Sequence, residues 1–223
     1  TSGGYVTQHL LNRPGPLYVL ASHFHPDHFN TEVLSWKERK PDIQYLFSKD
    51  ILKHRRARQD QAHWLKQGDT YADERLQVKA FGSTDVGVSF RVTLADKVLF
   101  HAGDLNNWYA RFLTSDYQGG TIWSFEFGEI DPQKDEKQYL GELKDIRKMA
   151  DSFDVVLFPV DGRIGNGYTR GARQFIEQFQ IGLFVPMHFV ASGFKSAWRM
   201  KEFTDAVQIP FWKIAHEGES IDI

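Results

Sequence analysis

Apolar residues in this chain fall in short runs separated by polar stretches, and between several runs they recur at helical spacing. Residues 17–22 (LYVLAS) form one such run, which predicts a buried strand ending directly on His23. Over 31–40 the pattern predicts a helix with Thr31 as its N-cap and Pro41 as its stop. A second strand follows at 43–48, and 49–65 reads as a charged helix. Segments 76–81, 86–93 and 97–101 read as successive strands, with Ala95-Asp96 turning the chain between the last two. From 105 to about 131 the pattern dissolves into an aromatic-rich stretch, and irregular segments of that length in a compact domain are lids or binding loops. Beyond it the spacing predicts a helix over 135–149 with Leu140, Leu143 and Ile146 on one face. A strand at 154–160, a helix at 168–179, a strand at 181–186, a helix at 195–207 and a strand at 211–215 follow. Alternation of this kind indicates an α/β layered architecture, and no linker or repeat divides the single domain expected over 1–223.

Composition narrows the partners. The longest apolar run, 155–160, is far too short to span a bilayer, so no membrane partner is expected. A net charge of −2 supplies no overall basic field, which argues against nucleic acid and for a small-molecule substrate. With no cysteine, any transition metal must be held by His, Asp and Glu. The opening Thr1-Ser2-Gly3-Gly4-Tyr5 lacks the charged start and apolar middle of a secretory leader, and cytoplasm is the default expectation.

Candidate chemistry concentrates at 23–28, HFHPDH. His23 and His25, two apart at a strand end, can lean to the same side, while Asp27 and His28 occupy the turn that Pro26 stiffens. Four potential ligands thus converge without long-range folding cost. Asp104 in FHAGDLN and His188 in VPMHF share that character, a polar ligand type directly after a buried strand. Three such strand ends can build one metal-binding cleft at a sheet edge.

These residues resemble the signature of the metallo-β-lactamase fold superfamily. Its HxHxDH motif is matched by His23, His25, Asp27 and His28, its bridging aspartate by Asp104 and its final histidine by His188. The HAGD and PMHF wording is most similar to the sugar-lactone hydrolase-like branch of bacterial metal-dependent hydrolases. The resemblance spans nearly the whole chain in element order and implies a four-layer αββα sandwich with metals at one rim between two sheets. Two departures matter. Family members carry a further histidine in a turn before a strand, where this chain reads FGSTDVGVSF with Ser83 at that place. A hydroxyl is a poor zinc ligand, so the first site, built on His23 and His25, either loses a donor or borrows Asp85. The second keeps Asp27, His28, Asp104 and His188. One tight metal and a second that is weak or absent are therefore expected, zinc first, with manganese, iron and nickel also compatible. Family members also open with two or three strands before the signature. This chain has only some twenty residues there, so the first sheet is expected to be short of N-terminal strands, with further residues before Thr1 in the native protein.

The resemblance implies a hydrolase in which a metal-activated water attacks an ester, lactone, amide or phosphodiester, with Asp27 orienting the water or taking its proton. Asn106 has two readings, oxyanion donor or structural residue. Trp108, Tyr109 and Trp123 either roof the cleft or pack the long loop. His101 reads as a packed histidine rather than a substitute ligand, Asp161 either contacts the site or caps the loop at 161–168, and Arg55, Arg56 and Arg58 read as a solvated face. Two competing functions remain: a nuclease or phosphodiesterase, which needs a basic rim, and a non-catalytic metal-binding sensor whose first site is degenerate.

Overall fold

The computed structural model describes residues 5–189, 193–216 and 219–223; the opening segment 1–4, read above for a leader, lies outside them. Its strands are β1 (Tyr18–Ala21), β2 (Gln44–Ser48), β3 (His63–Leu65), β4 (Thr70–Ala72), β5 (Leu76–Phe81), β6 (Ser89–Leu94), β7 (Lys97–His101), β8 (Ile122–Ser124), β9 (Gly128–Ile130), β10 (Ser152–Pro159) and β11 (Gln180–Met187). Its α-helices are α1 (Tyr5–Gln8), α2 (Trp36–Arg39), α3 (Lys49–Lys53), α4 (Pro132–Arg147), α5 (Arg170–Ile176) and α6 (Phe194–Ala206). A smaller parallel sheet has the order β1-β2-β3, and a larger one β11-β10-β7-β6-β5-β4. In the larger sheet β11, β10 and β7 are parallel, and β7 through β4 alternate in direction. Strands β8 and β9 form a separate hairpin.

Alternating side chains explain the layering. Tyr18, Leu20, Leu46 and Leu65 of the small sheet meet Val78, Ala80 and Phe90 of the large one in a core between the sheets. The opposite face of the small sheet, with Ala21, Tyr45 and Phe47, is covered by Leu11, Phe29, Val33, Trp36 and Ile51. The outer face of the large sheet buries Phe100, Phe153, Phe158 and Phe184 against Tyr139, Leu143 and Ile146 of α4, Phe175 of α5 and Met200 of α6. Each buried Phe or Leu contributes about 1.5–3 kcal/mol, so this third core holds the helices on. The result is the αββα sandwich. The small sheet has three strands among the described residues, with β1 its first.

Several elements differ from the sequence pattern. Over 31–40 the chain forms a 3₁₀ turn, Thr31–Ser35, that runs into the short α2, and the cap is Asn30, whose Oδ1 accepts the Glu32 N–H at 2.9 Å. The charged helix expected over 49–65 stops at Lys53. Arg55 takes a left-handed conformation (φ 56°), and the chain turns back so that β3 can pair with β2. Helix α4 starts earlier than expected because Asp131 caps it, accepting the Lys134 N–H at 3.0 Å, and Pro132 fits the first turn. The strand expected at 211–215 is reduced to one bridge, Phe211 with Phe184, although Trp212 and Ile214 still pack on the large sheet. Among the described residues no helix is long and apolar enough to cross a membrane.

Candidate metal centre

Strands β5, β7, β10 and β11 run in one direction, so the loops after them share one edge of the large sheet. The loop after β1 is drawn to the same edge: the Val88 N–H donates to the Ser22 carbonyl at 3.0 Å. Two glycines permit this approach. Gly87 and Gly103 adopt left-handed conformations, and a Cβ would lie 2.0 Å from the Ser22 carbonyl oxygen in the first case and 2.8 Å from Ser22 Cβ in the second.

Seven of the expected ligand residues meet there. His23, His25, Asp85 and Asp104 form one group of donors and Asp27, His28 and His188 another, the atoms of each lying within 4.8 Å of one another. Asp104 stands between them: Oδ2 is 3.3 Å from His23 Nε2, and Oδ1 is 3.1 Å from His28 Nε2 and 3.6 Å from His188 Nε2. Asp27 Oδ2 is 3.5 Å from His28 Nε2 and 3.4 Å from His188 Nε2, and His25 Nδ1 is 3.6 Å from Asp85 Oδ2. Despite this proximity, the Nε2 atoms of His23, His28 and His188 and Asp104 Oδ1 are buried without a hydrogen bond. An unsatisfied buried polar atom costs about 1–3 kcal/mol, and four of them approach the whole stability of a typical domain. A divalent metal is the partner this donor chemistry fits.

The far sides of the rings are anchored. His23 Nδ1 lies 3.0 Å and His28 Nδ1 3.4 Å from Ser22 Oγ. His188 Nδ1 is 3.0 Å from Asp161 Oδ2, and because an ionised carboxylate only accepts, in the neutral ring that nitrogen carries the proton and leaves the lone pair on Nε2. Burial works to raise the Asp161 pKa, but the bonds from His188 and Arg163 outweigh it and hold the carboxyl well below its usual range. Burial likewise works to lower the His188 pKa, and Asp161 overrides it upward. Burial lowers His23 to about 4, against the opposing pull of Asp104, so its imidazole is neutral at pH 7. The Asp85 carboxyl is raised, by burial first and then by the nearby Asp104 charge.

A cavity of about 490 Å³ opens onto the group, with Asp27, Asp85, Asp104 and His188 in its wall and Trp108, Tyr109, Phe127, Arg163 and Ile164 around them. Trp108 belongs to the site twice over, since its Nε1 donates to the Asp104 carbonyl at 2.8 Å and its ring meets His188 edge-on. Trp123 does not line the cavity and is 74% exposed. Asn106 is not in the wall either. It is buried, its Oδ1 accepts the Asn107 N–H at 2.9 Å, and its backbone is tied to Thr84 Oγ1. Ser83 lies outside both donor groups and accepts the Asp85 N–H. His101 is also outside them; its Nδ1 accepts the Gly103 N–H at 3.1 Å and so shapes the turn before Asp104. Asp161 is more than a loop cap, and Ser22 and Arg163 had no motif to reveal them. The available signal for Asp161 was its place after a buried strand, which it shares with Asp104 and His188.

No family model matches the sequence, and no curated protein matches it. In three dimensions the chain is similar to YhfI of Bacillus subtilis, a metallo-β-lactamase fold protein, with TM-score 0.55 and 12% identity over 87% of this chain and 73% of that one. It is similar to Zn²⁺-bound PqqB of Methylobacterium extorquens at TM-score 0.51 and 14% identity, over 92% of this chain and 71% of that one. CmlA of Streptomyces venezuelae, a diiron β-hydroxylase, gives TM-score 0.54 at 10% identity over 87% of this chain, which spans only 42% of CmlA. At such identities the likeness concerns the fold, which is that of the metallo-β-lactamases.

Proposed function

We propose, with the metallo-β-lactamase fold as premise, that the protein is a metal-dependent hydrolase that cleaves a small-molecule ester, lactone, amide or phosphodiester. One observation carries this reading: three buried imidazole Nε2 atoms and a buried carboxylate oxygen, none hydrogen-bonded, converge beside a cavity that also receives the 60%-exposed Asp27 carboxylate. His23, His25, Asp85 and Asp104 would hold one ion and Asp27, His28 and His188 a second, with Asp104 shared. Asp85 thereby answers the departure at Ser83, and a first site completed by a carboxylate is favoured over one short of a donor. Zinc suits these ligands first, and manganese, iron and nickel are compatible. A divalent ion in such a site lowers the pKa of water from 15.7 to about 7 and withdraws charge from the substrate's carbonyl or phosphoryl oxygen.

The chain's own residues then have separate tasks. Hydrolysis joins the water oxygen to the acyl or phosphoryl centre and breaks the bond to the leaving oxygen or nitrogen. Asp27 takes the proton released by water and returns it to the leaving group. Asp161 fixes the tautomer of His188, and Trp108 holds the Asp104 backbone. Oxidative chemistry at a pair of irons is a second reading, favoured by the third carboxylate that Asp85 adds to the donor set.

Metal content by plasma mass spectrometry on untagged protein, with a panel of esters, lactones and phosphodiesters and oxygen uptake recorded in parallel, tests both readings. Bound metal with turnover that falls about 100-fold or more in Asp27→Ala supports the hydrolase. Oxygen consumption without hydrolysis selects the second reading, and absence of bound metal overturns both.

A further inference from the structure

The charges around the cavity bear on the class of substrate, an inference that rests on the hydrolase reading. Five carboxylates reach the cavity wall: Asp27, Asp85, Asp104, Glu126 and Asp161. The first three belong to the donor groups. The other two are matched by arginines, since Glu126 Oε2 lies 2.5 Å from Arg111 Nη2 and Asp161 Oδ2 lies 2.6 Å from Arg163 Nη2. None is left to receive a cationic substrate.

Arg163 is the one Lys or Arg in that wall among the described residues. Its Nε donates to Asp161 Oδ1 at 3.0 Å and Oδ2 at 2.9 Å, and its Nη2 to Oδ2 at 2.6 Å, while Nη1 makes no hydrogen bond among the described residues. The pair is asymmetric: the Asp161 side chain is 2% exposed and that of Arg163 57%. One edge of the guanidinium is therefore pinned to a buried carboxylate, and the other keeps donor capacity at an exposed position. Pinning matters because a flexible arginine loses rotamer freedom when it binds a ligand, and Arg163 has already lost it. Nη2 also lies 3.4 Å from His188 Nδ1, on the side of the ring opposite Nε2. The guanidinium is thus one imidazole away from the donor cluster.

We propose that Arg163 is a specificity-determining residue whose free edge binds a carboxylate or phosphate of the substrate, a few bonds from the bond that is cleaved. The substrate is then a small acidic molecule. Its apolar remainder meets Trp108, Phe127 and Ile164, and a cavity of about 490 Å³ is of a size for such a compound.

The test compares metal-loaded wild type, Arg163→Gln and Arg163→Lys on three matched 4-nitrophenyl esters: neutral acetate, one ending in a carboxylate and one ending in a phosphate. Wild type should favour at least one acidic ester over the acetate, and the better of the two identifies the anion. In Arg163→Gln, kcat/KM on that ester should fall about 10- to 100-fold, the worth of a charge-assisted hydrogen bond, with the acetate within about threefold and metal content unchanged. Arg163→Lys should recover part of the loss, because a lysine keeps the charge without the planar fork. An equal fall on all three esters with metal retained, or no preference in wild type, overturns the proposal and leaves Arg163 a positioning residue for Asp161. Should no ester be turned over, the hydrolase reading fails separately, and calorimetric titration with glutarate and inorganic phosphate still decides. Weaker binding of either to Arg163→Gln supports the assignment, and equal binding of both overturns it. If Arg163→Gln loses metal, the comparison is made with Arg163→Lys, where an undiminished preference for the acidic ester and undiminished anion binding overturn the proposal.

Discussion

His188 illustrates what one residue at this edge has to satisfy. Its φ of 61° is left-handed, a conformation that costs a non-glycine residue on the order of 1–2 kcal/mol. It follows directly on β11, and its ring meets Asp161 through Nδ1 while Nε2 lies among Asp27, Asp104 and His28. Asp161→Asn keeps the shape but can donate where the carboxylate only accepts, so metal affinity should drop about 10- to 100-fold in chelator competition. An unchanged affinity would remove Asp161 from the support of the site. Asp85→Ala should reduce bound metal from two equivalents to one by plasma mass spectrometry, and two equivalents in the variant would exclude Asp85 as a donor. Gly87→Ala forces a Cβ to within 2.0 Å of the Ser22 carbonyl and should cost at least about 2 kcal/mol in urea unfolding. The residues of the two donor groups were legible because their types cluster in HFHPDH, follow apolar runs or, for Asp85, stand beside the place of an expected histidine. Arg163 was not, since nothing local separates it from any surface arginine: its role comes from Asp161 and from a cavity that only the folded chain assembles.

Among the elements, β5 and β7 have the bounds that the apolar pattern predicts, because each packs into a core and its spacing records that. The stretch 54–62 failed as a helix for the opposite reason. It is mostly exposed and charged, so no buried face imposes a period, and tertiary pairing of β3 decided its path. The hairpin β8–β9 was hidden in a segment that reads as an irregular loop whose aromatics roof the cleft or pack against the body. There Trp123 is 74% exposed and Phe125 is fully exposed. Replacing both with Ser should leave the unfolding free energy within about 0.5 kcal/mol, whereas Leu143→Ala on α4, at a fully buried position, should cost about 2–5 kcal/mol. Equilibrium denaturation of the two variants side by side checks the contrast, and a large loss in the hairpin variant would show that those rings are buried in solution.

At the scale of the molecule, the two sheets are joined by polar contacts as well as by their shared core. Asp73 accepts hydrogen bonds from Tyr18 Oη on β1 and Tyr71 Oη on β4, at 2.7 and 2.8 Å, and from the N–H groups of Arg75 and Leu76. These bonds outweigh the opposing effect of burial and hold the carboxyl below its usual range, while burial and Asp73 push Tyr18 up to about 12. The signs follow from linkage. A depressed carboxyl contributes stability above its unfolded pKa near 4, and that contribution fades as pH falls toward the lower folded value. A raised phenol contributes below its unfolded pKa near 10 and loses it as pH climbs toward 12. Urea midpoints of wild type and Asp73→Asn should therefore differ most between about pH 5 and 9 and converge on acidification; a difference constant down to pH 2 would count against the clamp.

The buried donors that lack hydrogen bonds have a consequence for the life of the protein in a cell. A ligand that binds only the folded state adds RT ln(1 + [L]/Kd), about 4 kcal/mol at a thousandfold excess over Kd, which is a large part of a domain's margin against unfolding. Metal supply would then govern abundance as well as activity. Chains made under metal starvation would open more often and reach proteases sooner, so the pool would shrink with its cofactor even at constant synthesis.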